Sequence, residues 1–288
     1  MIDFLLEGVN VTIAISLKVN DGVVLASDSA ATMMSSNGGV LNVYENANKI
    51  FNLQKGSPIG AATWGAGSID MASIATLAKD FRRVLTEGSD EHPDWKMQFD
   101  CVSVEEVAKR FKIFMYDERY VVAYCKTEGE KPPLGFVVAG YSPKESFAEE
   151  WLILIDDKGI CTGPTRIRGP KETGWYCNGD PEAIYRLVLG FDPRLLEIFV
   201  QLGVAKKDIS NLIRFLKEQL EVLMVVPPMP IQDAIDLAEF LVETTIKYRR
   251  FLPGAPIVGG PVEIAVITKH EGFKWVKRKH YYDSELNP

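Results

Sequence analysis

From position 11 to position 19 every second residue is apolar: Val11, Ile13, Ile15, Leu17 and Val19 alternate with Thr12, Ala14, Ser16 and Lys18. A period of two puts the first set on one face of a β-strand, against a core. Asn20-Asp21-Gly22 follows, and Asp and Gly tolerate the positive φ of a tight hairpin turn. A second strand then runs over residues 23–28. The hairpin lays the start of one strand against the end of the next. Thr12 and Asp28 therefore meet at one corner, although sixteen positions separate them.

Further strands are expected over residues 49–53 and 58–63, with turn residues around Gly56 between them. From Ser68 the period becomes helical, through Met71, Ile74, Leu77, Ala78, Phe81 and Leu85. A second helix starts after Ser103, with Glu106 completing a capping box, and carries Val107, Phe111 and Phe114. Strands return over residues 134–139, 150–155 and 160–166. Asp180-Pro181-Glu182 opens a helix through Leu189, followed by helices over residues 193–202, 207–223 and 231–248. Pro227, Pro228 and Pro230 separate the last two, since proline cannot continue a helix. Strands over residues 262–268 and 273–276 close the chain. Strands and helices come in blocks rather than in strict alternation, which argues for antiparallel sheets with helix layers outside them. With no repeat, low-complexity stretch or linker, the 288 residues read as one domain.

A formal charge of −7 argues against a general nucleic-acid binder, which needs a basic face. The run Lys277-Arg278-Lys279 reads as a solvated end. Cys101, Cys125, Cys161 and Cys177 stand far apart, without the spacing of a metal site or a disulfide framework, and imply a reducing compartment. The N-terminus lacks the basic and apolar regions of a signal peptide, and no apolar run is long enough to span a bilayer. A cytoplasmic protein is expected, with the sequon Asn10-Val11-Thr12 accidental. The three histidines, His92, His270 and His280, are not spaced as zinc ligands. No phosphate-binding loop, metalloprotease helix or serine-hydrolase elbow occurs, and no cofactor or metal is expected. Catalysis would fall to hydroxyls, carboxylates and lysines.

At this point the residues resemble a known family. Thr12-Ile13-Ala14-Ile15, the stretch Asp21-Gly22-Val23-Val24-Leu25-Ala26-Ser27-Asp28, and Ala31-Thr32 are similar to the opening of a proteasome β subunit, an N-terminal nucleophile (Ntn) hydrolase. Lys49-Ile50 resembles the lysine that begins that family's next strand, and Gly65-Ala66-Gly67-Ser68 its glycine turn before the first helix. Gly259-Gly260-Pro261-Val262 leads into a segment like its last core strands. The resemblance is clearest over residues 12–81 and keeps the same order through residue 266.

It implies an α+β fold, a four-layer αββα sandwich, with residues 1–11 as a propeptide-like segment and residues 12–288 as a single domain. Residues 191–226 look like an inserted helical pair before the last long helix. Thr12 would be the nucleophile, activated by its own α-amine once that is free. Lys49 would lower the pKa of the amine, and Asp28 would orient and neutralise the lysine. The amide of Gly65 or Gly67, both of which the register leaves open, would face the oxyanion at a helix start. The implied activity is cleavage of peptides or unfolded proteins within a homo-oligomeric ring, with an ATP-dependent unfoldase as a candidate partner. Singly, each residue is ordinary: a strand threonine, a turn aspartate, a surface lysine.

Several positions depart from the active pattern. Val11 stands where glycine precedes the threonine, and Ala30 where an arginine is usual. Cys177-Asn178-Gly179-Asp180 replaces a serine-glycine element, and Ala255 and Val258 replace an aspartate and a serine. An unprocessed, inactive structural or assembly subunit is therefore the alternative, and an Ntn amidase acting on a small amide is a third reading.

Overall fold

The computed structural model describes residues 12–34, 39–97, 102–192 and 194–279. The propeptide-like segment with Val11, the sequon's Asn10, the polar residues 35–38, Cys101, Pro193 and His280 lie outside the described residues.

β1 (Ile13–Val19) and β2 (Gly22–Ser27) form the expected hairpin, with Val19 opposite Gly22. The turn is not of the expected kind, because none of Asn20, Asp21 and Gly22 has a positive φ. Gly22 answers a different constraint. A Cβ there would lie 2.6 Å from the carbonyl oxygen of Ile267 on the neighbouring strand. That strand is β13 (Glu263–Thr268), which pairs with β2 along its whole length.

Five-stranded sheets form twice, both antiparallel. One has the order β12-β1-β2-β13-β14, with β12 at Gly174–Gly179 and β14 at Gly272–Lys277. The other has the order β11-β10-β9-β6-β5. Its strands are β5 (Ile50–Asn52), β6 (Ile59–Gly65), β9 (Leu134–Gly140), β10 (Glu149–Ile155) and β11 (Cys161–Arg166). Two small ribbons complete the β structure among the described residues: β3 (Ala31–Met34) with β4 (Val40–Tyr44), and β7 (Ser68–Ile69) with β8 (Ala72–Ser73).

Three buried clusters hold these elements together. Residues 13, 15, 17 and 19 of β1 pack with α4 (Glu182–Val188) and α7 (Ile231–Arg250) through Ile184, Ala238 and Val242. Phe136 and Ile153 of the second sheet pack with α1 (Ile74–Glu87) and α2 (Val104–Lys112), where Phe81 and Phe111 meet edge-on with centroids 5.0 Å apart. Ala14, Leu25, Ala62, Val137 and Ala265, drawn from both sheets, make the third. β1 is consequently buried on both faces, not on one as its alternation suggests. Its polar face (Thr12, Ser16, Lys18) is enclosed, so those side chains must find partners inside the protein.

Helix α1 starts later than periodicity indicates, because Ser73 caps it by accepting from the Thr76 amide. Met71 falls in the β7–β8 turn and is 94% exposed. Ser103 caps α2 as expected, but Glu106 bonds Arg110 instead of returning to close a capping box. The helix then runs on through a π-helical stretch (Ile113–Tyr120) into α3 (Val121–Tyr124). In the expected inserted pair, α5 (Leu195–Gln201) and α6 (Lys206–Leu220) enclose a small cluster of Leu196, Ile209 and Ile213.

Candidate active site

Thr12 stands at the threshold of β1, where the first sheet's edge strand β12 ends. Its carbonyl accepts from the Asp180 amide at 2.6 Å. Gly179, opposite Ile13, has φ +91°, and a Cβ on it would lie 2.0 Å from that same carbonyl oxygen. Only glycine fits. Gly179→Ala is expected to cost about 2 kcal/mol or more, from left-handed strain and the clash together, and to lower the thermal midpoint by several degrees. A thermal melt of the variant beside the parent checks this.

Asp28 follows β2 and is 0% exposed. Five donors converge on its carboxylate. Oδ1 accepts from Thr12 Oγ1 at 2.5 Å, from the Ile13 amide at 3.1 Å and from Lys49 Nζ at 2.6 Å. Oδ2 accepts from the Ala30 amide at 3.1 Å and from the Gly259 amide at 3.0 Å. Lys49 precedes β5, and its Nζ also donates to Thr12 Oγ1. The threonine hydroxyl thus gives its proton towards Asp28 and receives one from Lys49, which uses both capacities of a hydroxyl. Burial pushes the Lys49 ammonium below its ordinary pKa, and the Asp28 carboxylate works against that shift. Lys279 adds to the lowering and Glu263 opposes it.

Thr12, Asp28 and Lys49 therefore meet, from three separate strand ends. Gly65 closes β6 opposite Leu134, and Gly67 is exposed, its carbonyl accepting from the Ile74 amide at 3.0 Å. The β7–β8 ribbon follows Gly67 in sequence, and the bond from Ile74, the first residue of α1, keeps that glycine beside the helix start. Neither glycine hydrogen-bonds to Thr12, Asp28 or Lys49 among the described residues.

Sequence reasoning missed Gly259, whose amide completes the Asp28 cage, and Asp180. The Asp180 carboxylate is held by Arg249, with Nη2 to Oδ1 at 2.6 Å and a further bond from Nε to Oδ2. Burial raises the Asp180 pKa, and the Arg249 guanidinium counters it. Both missed residues act through backbone amides, which no side-chain pattern announces. The substituted positions have other work: Val258 and Cys177 are buried in the helix-side cluster, while Ala255 is exposed. Lys279 is not the solvated end expected of the basic run; its ammonium reaches Ser29 and Ala47.

Further along the same face of β1 a second polar group is enclosed. Ser16 Oγ donates to Glu150 Oε1, and Arg168 Nε lies 2.9 Å from Glu150 Oε2. Lys18 Nζ donates to the carbonyls of Gly169 and Pro170 at 3.1 and 3.0 Å. Among the described residues no group of His, Cys, Asp and Glu could hold a metal ion, and no helix is long and apolar enough to cross a membrane.

No protein-family profile and no curated protein matches the sequence. Among solved structures the chain is similar to Anbu (ancestral beta-subunit) from Yersinia bercovieri, at 13% sequence identity and a TM-score of 0.52. The match covers 94% of this chain and 89% of that one. At that identity the likeness is one of fold, and it supports the proteasome-like α+β fold that the sequence resemblance implies.

Proposed function

We propose that this chain is a threonine-type peptidase of the N-terminal nucleophile class, with Thr12 as its nucleophile. The carrying observation is the enclosed contact of Thr12 Oγ1 with both Asp28 Oδ1 and Lys49 Nζ. Hydrolysis of the Val11–Thr12 bond would free the threonine α-amine, whose reference pKa of about 7.7–8.0 suits a base at neutral pH. Thr12 Oγ1 attacks the scissile carbonyl and its proton passes to the α-amine. The amine then protonates the leaving nitrogen, giving an acyl ester on Thr12. Water, deprotonated by the same amine, cleaves that ester and restores the hydroxyl. Lys49, held by Asp28, keeps positive charge beside the amine and so keeps the amine's pKa low. The amide of Gly65 or Gly67 would receive the oxyanion.

The same reading takes the two sheets and their outer helices as a four-layer αββα sandwich. It treats residues 12–288 as one domain, residues 1–11 as the propeptide and residues 191–226 as an inserted helical pair. The three buried clusters support it, two between sheet and helices and one between the sheets. Assembly into a homo-oligomeric ring around peptide or unfolded-protein substrates is supported by the neighbour's description as a beta-subunit. Val200, Leu202 and Phe215 on and beside α5 and α6 also leave apolar surface exposed.

A second reading, an unprocessed structural or assembly subunit, is favoured by the closure of the site: Thr12 is 1% exposed. Intact mass of the purified protein separates the two. The peptidase reading expects loss of residues 1–11. A full-length chain without peptide hydrolysis establishes the subunit reading, and a full-length chain that hydrolyses peptides through Thr12 overturns the amine-based mechanism.

A further inference from the structure

Three consecutive cations leave β14 with three different fates. Lys277 is half exposed and pairs with Glu239, while Arg278 lies over the Trp275 ring, 4.8 Å from its centroid. The Lys279 side chain turns inward and is 8% exposed. Its Nζ donates to Ser29 Oγ at 2.6 Å and to the Ala47 carbonyl at 2.5 Å, and lies 3.4 Å from Glu263 Oε2.

Each of those partners adjoins the Thr12 centre. Ser29 follows Asp28; its carbonyl accepts from the Ala47 amide at 2.9 Å and its amide donates to the Gly259 carbonyl at 2.9 Å. Ser29 Oγ also donates to the Pro261 carbonyl at 2.6 Å. Ala47 lies two residues before Lys49, whose own amide donates to Glu263 Oε2 at 3.5 Å. One ammonium thus ties together the loop carrying Asp28, the loop carrying Lys49 and the segment that gives the Gly259 amide to Asp28.

A staple of this kind does not need charge. Enclosing an ammonium is costly unless it is paired, and Lys279 is placed near a second enclosed ammonium of the same sign. Two carboxylates act on both ammoniums: Glu263, which lies 3.4 Å from Lys279, and Asp28, which pairs with Lys49. Ala30, directly after Ser29, is uncharged, so the positive charges at this corner are those of Lys49 and Lys279.

We propose that Lys279 is a positioning residue for the Thr12 centre, holding Asp28 and Lys49 in register while its charge, shared with Glu263, sets the balance in which Lys49 works. The structural part stands on these contacts alone. Its bearing on catalysis rests on Thr12 being a nucleophile.

The groups facing Lys49 are Asp28, Glu263 and Lys279, with Arg278 acting on Glu263. Lys279 lowers the Lys49 pKa and Glu263 raises it. Removing the Lys279 charge therefore lets Lys49 hold its proton to higher pH, and removing the Glu263 charge does the reverse. The test is an NMR titration of the full-length chain carrying 13Cε-labelled lysine, with the Lys49 signal assigned by its loss in Lys49→Arg. Lys279→Gln keeps a donor near Ser29 and is expected to move the Lys49 midpoint up by about one pH unit. Lys279→Arg restores the parental midpoint, and Glu263→Gln moves it down. An unmoved Lys49 midpoint in folded Lys279→Gln overturns the proposal. Should that variant fail to fold, an unmoved midpoint in Glu263→Gln overturns it equally.

Peptide hydrolysis against pH supplies the second readout. In an active parent, Lys279→Gln shifts the pH profile of kcat with little change in KM. A parent without hydrolysis removes the peptidase reading, and the Lys49 titration still decides the role of Lys279.

Discussion

Thr12→Ala is expected to leave residues 1–11 attached and to lower peptide hydrolysis on the order of 10⁴-fold, with the fold intact. Removing the nucleophile of an acyl-transfer site has effects of this size or larger, because nothing else can form the covalent intermediate. The fold should survive because Thr12 contributes a hydroxyl and a methyl group at a strand end, while its carbonyl bond to the Asp180 amide is kept. The alanine does leave Lys49 Nζ one acceptor short, though Asp28 Oδ1 still holds it at 2.6 Å. Thr12→Ser keeps the hydroxyl and is expected to retain measurable processing. Intact mass and a fluorogenic-peptide assay on the three proteins provide the check. Full hydrolysis by the alanine variant would remove Thr12 from the mechanism.

The largest loss of stability should come from Asp28. Its carboxylate satisfies five donors, and one of them, Lys49, carries a charge with a side chain only 8% exposed. Asp28→Asn keeps the shape and removes the counter-charge, leaving an enclosed ammonium without its partner. Breaking one side of a buried pair in this way costs about 3–5 kcal/mol. Substituting both partners should cost less, since the Asp28→Asn, Lys49→Met double variant has no orphaned charge. Denaturant midpoints for the two singles and the double measure that difference.

The pH dependence carries a definite sign. Lys49 is already below its ordinary pKa in the folded protein, and losing Asp28 lowers it further. An unfolded lysine titrates near about 10.4. Between the folded and unfolded values the unfolded chain binds more protons, so stability rises with pH. Between the variant's folded value and the parent's, only the variant gains stability, so the deficit of Asp28→Asn should shrink with rising pH over that interval and level off above it. A deficit independent of pH would place its origin in the lost amide contacts instead.

The corner where Thr12 meets Asp28 was legible because a hairpin converts sequence separation into proximity by strand register alone. Lys49 followed from the resemblance, and the structure brings its ammonium to Thr12 and Asp28. What escaped the sequence has physical causes. β12 was missed because it begins and ends in glycine, and only Trp175 and Cys177 of its residues face the helix-side cluster. The enclosure of the polar face of β1 escaped because Thr12, Ser16 and Lys18 have the composition of a solvated face. They are accommodated only because Asp28, Glu150 and two carbonyls wait opposite. The start of α1 was misplaced because Met71 fits a helical stripe, whereas the Ser73 cap decides where the helix begins. Lys279 carried no local signal, since its partners Ser29 and Ala47 lie more than two hundred positions away.

The Asp28 cage also imposes an order of events at the ribosome. Thr12, Asp28 and Lys49 emerge early, but β2 must pair with β13, and the cage needs the amide of Gly259. At about 5–20 residues per second, synthesis separates the first hairpin from its completing strand by on the order of tens of seconds. Throughout that interval the threonine has its aspartate and lysine nearby in sequence but no enclosed site to hold them. On the peptidase reading, Thr12 cannot be armed until the residues around Gly259 have been made.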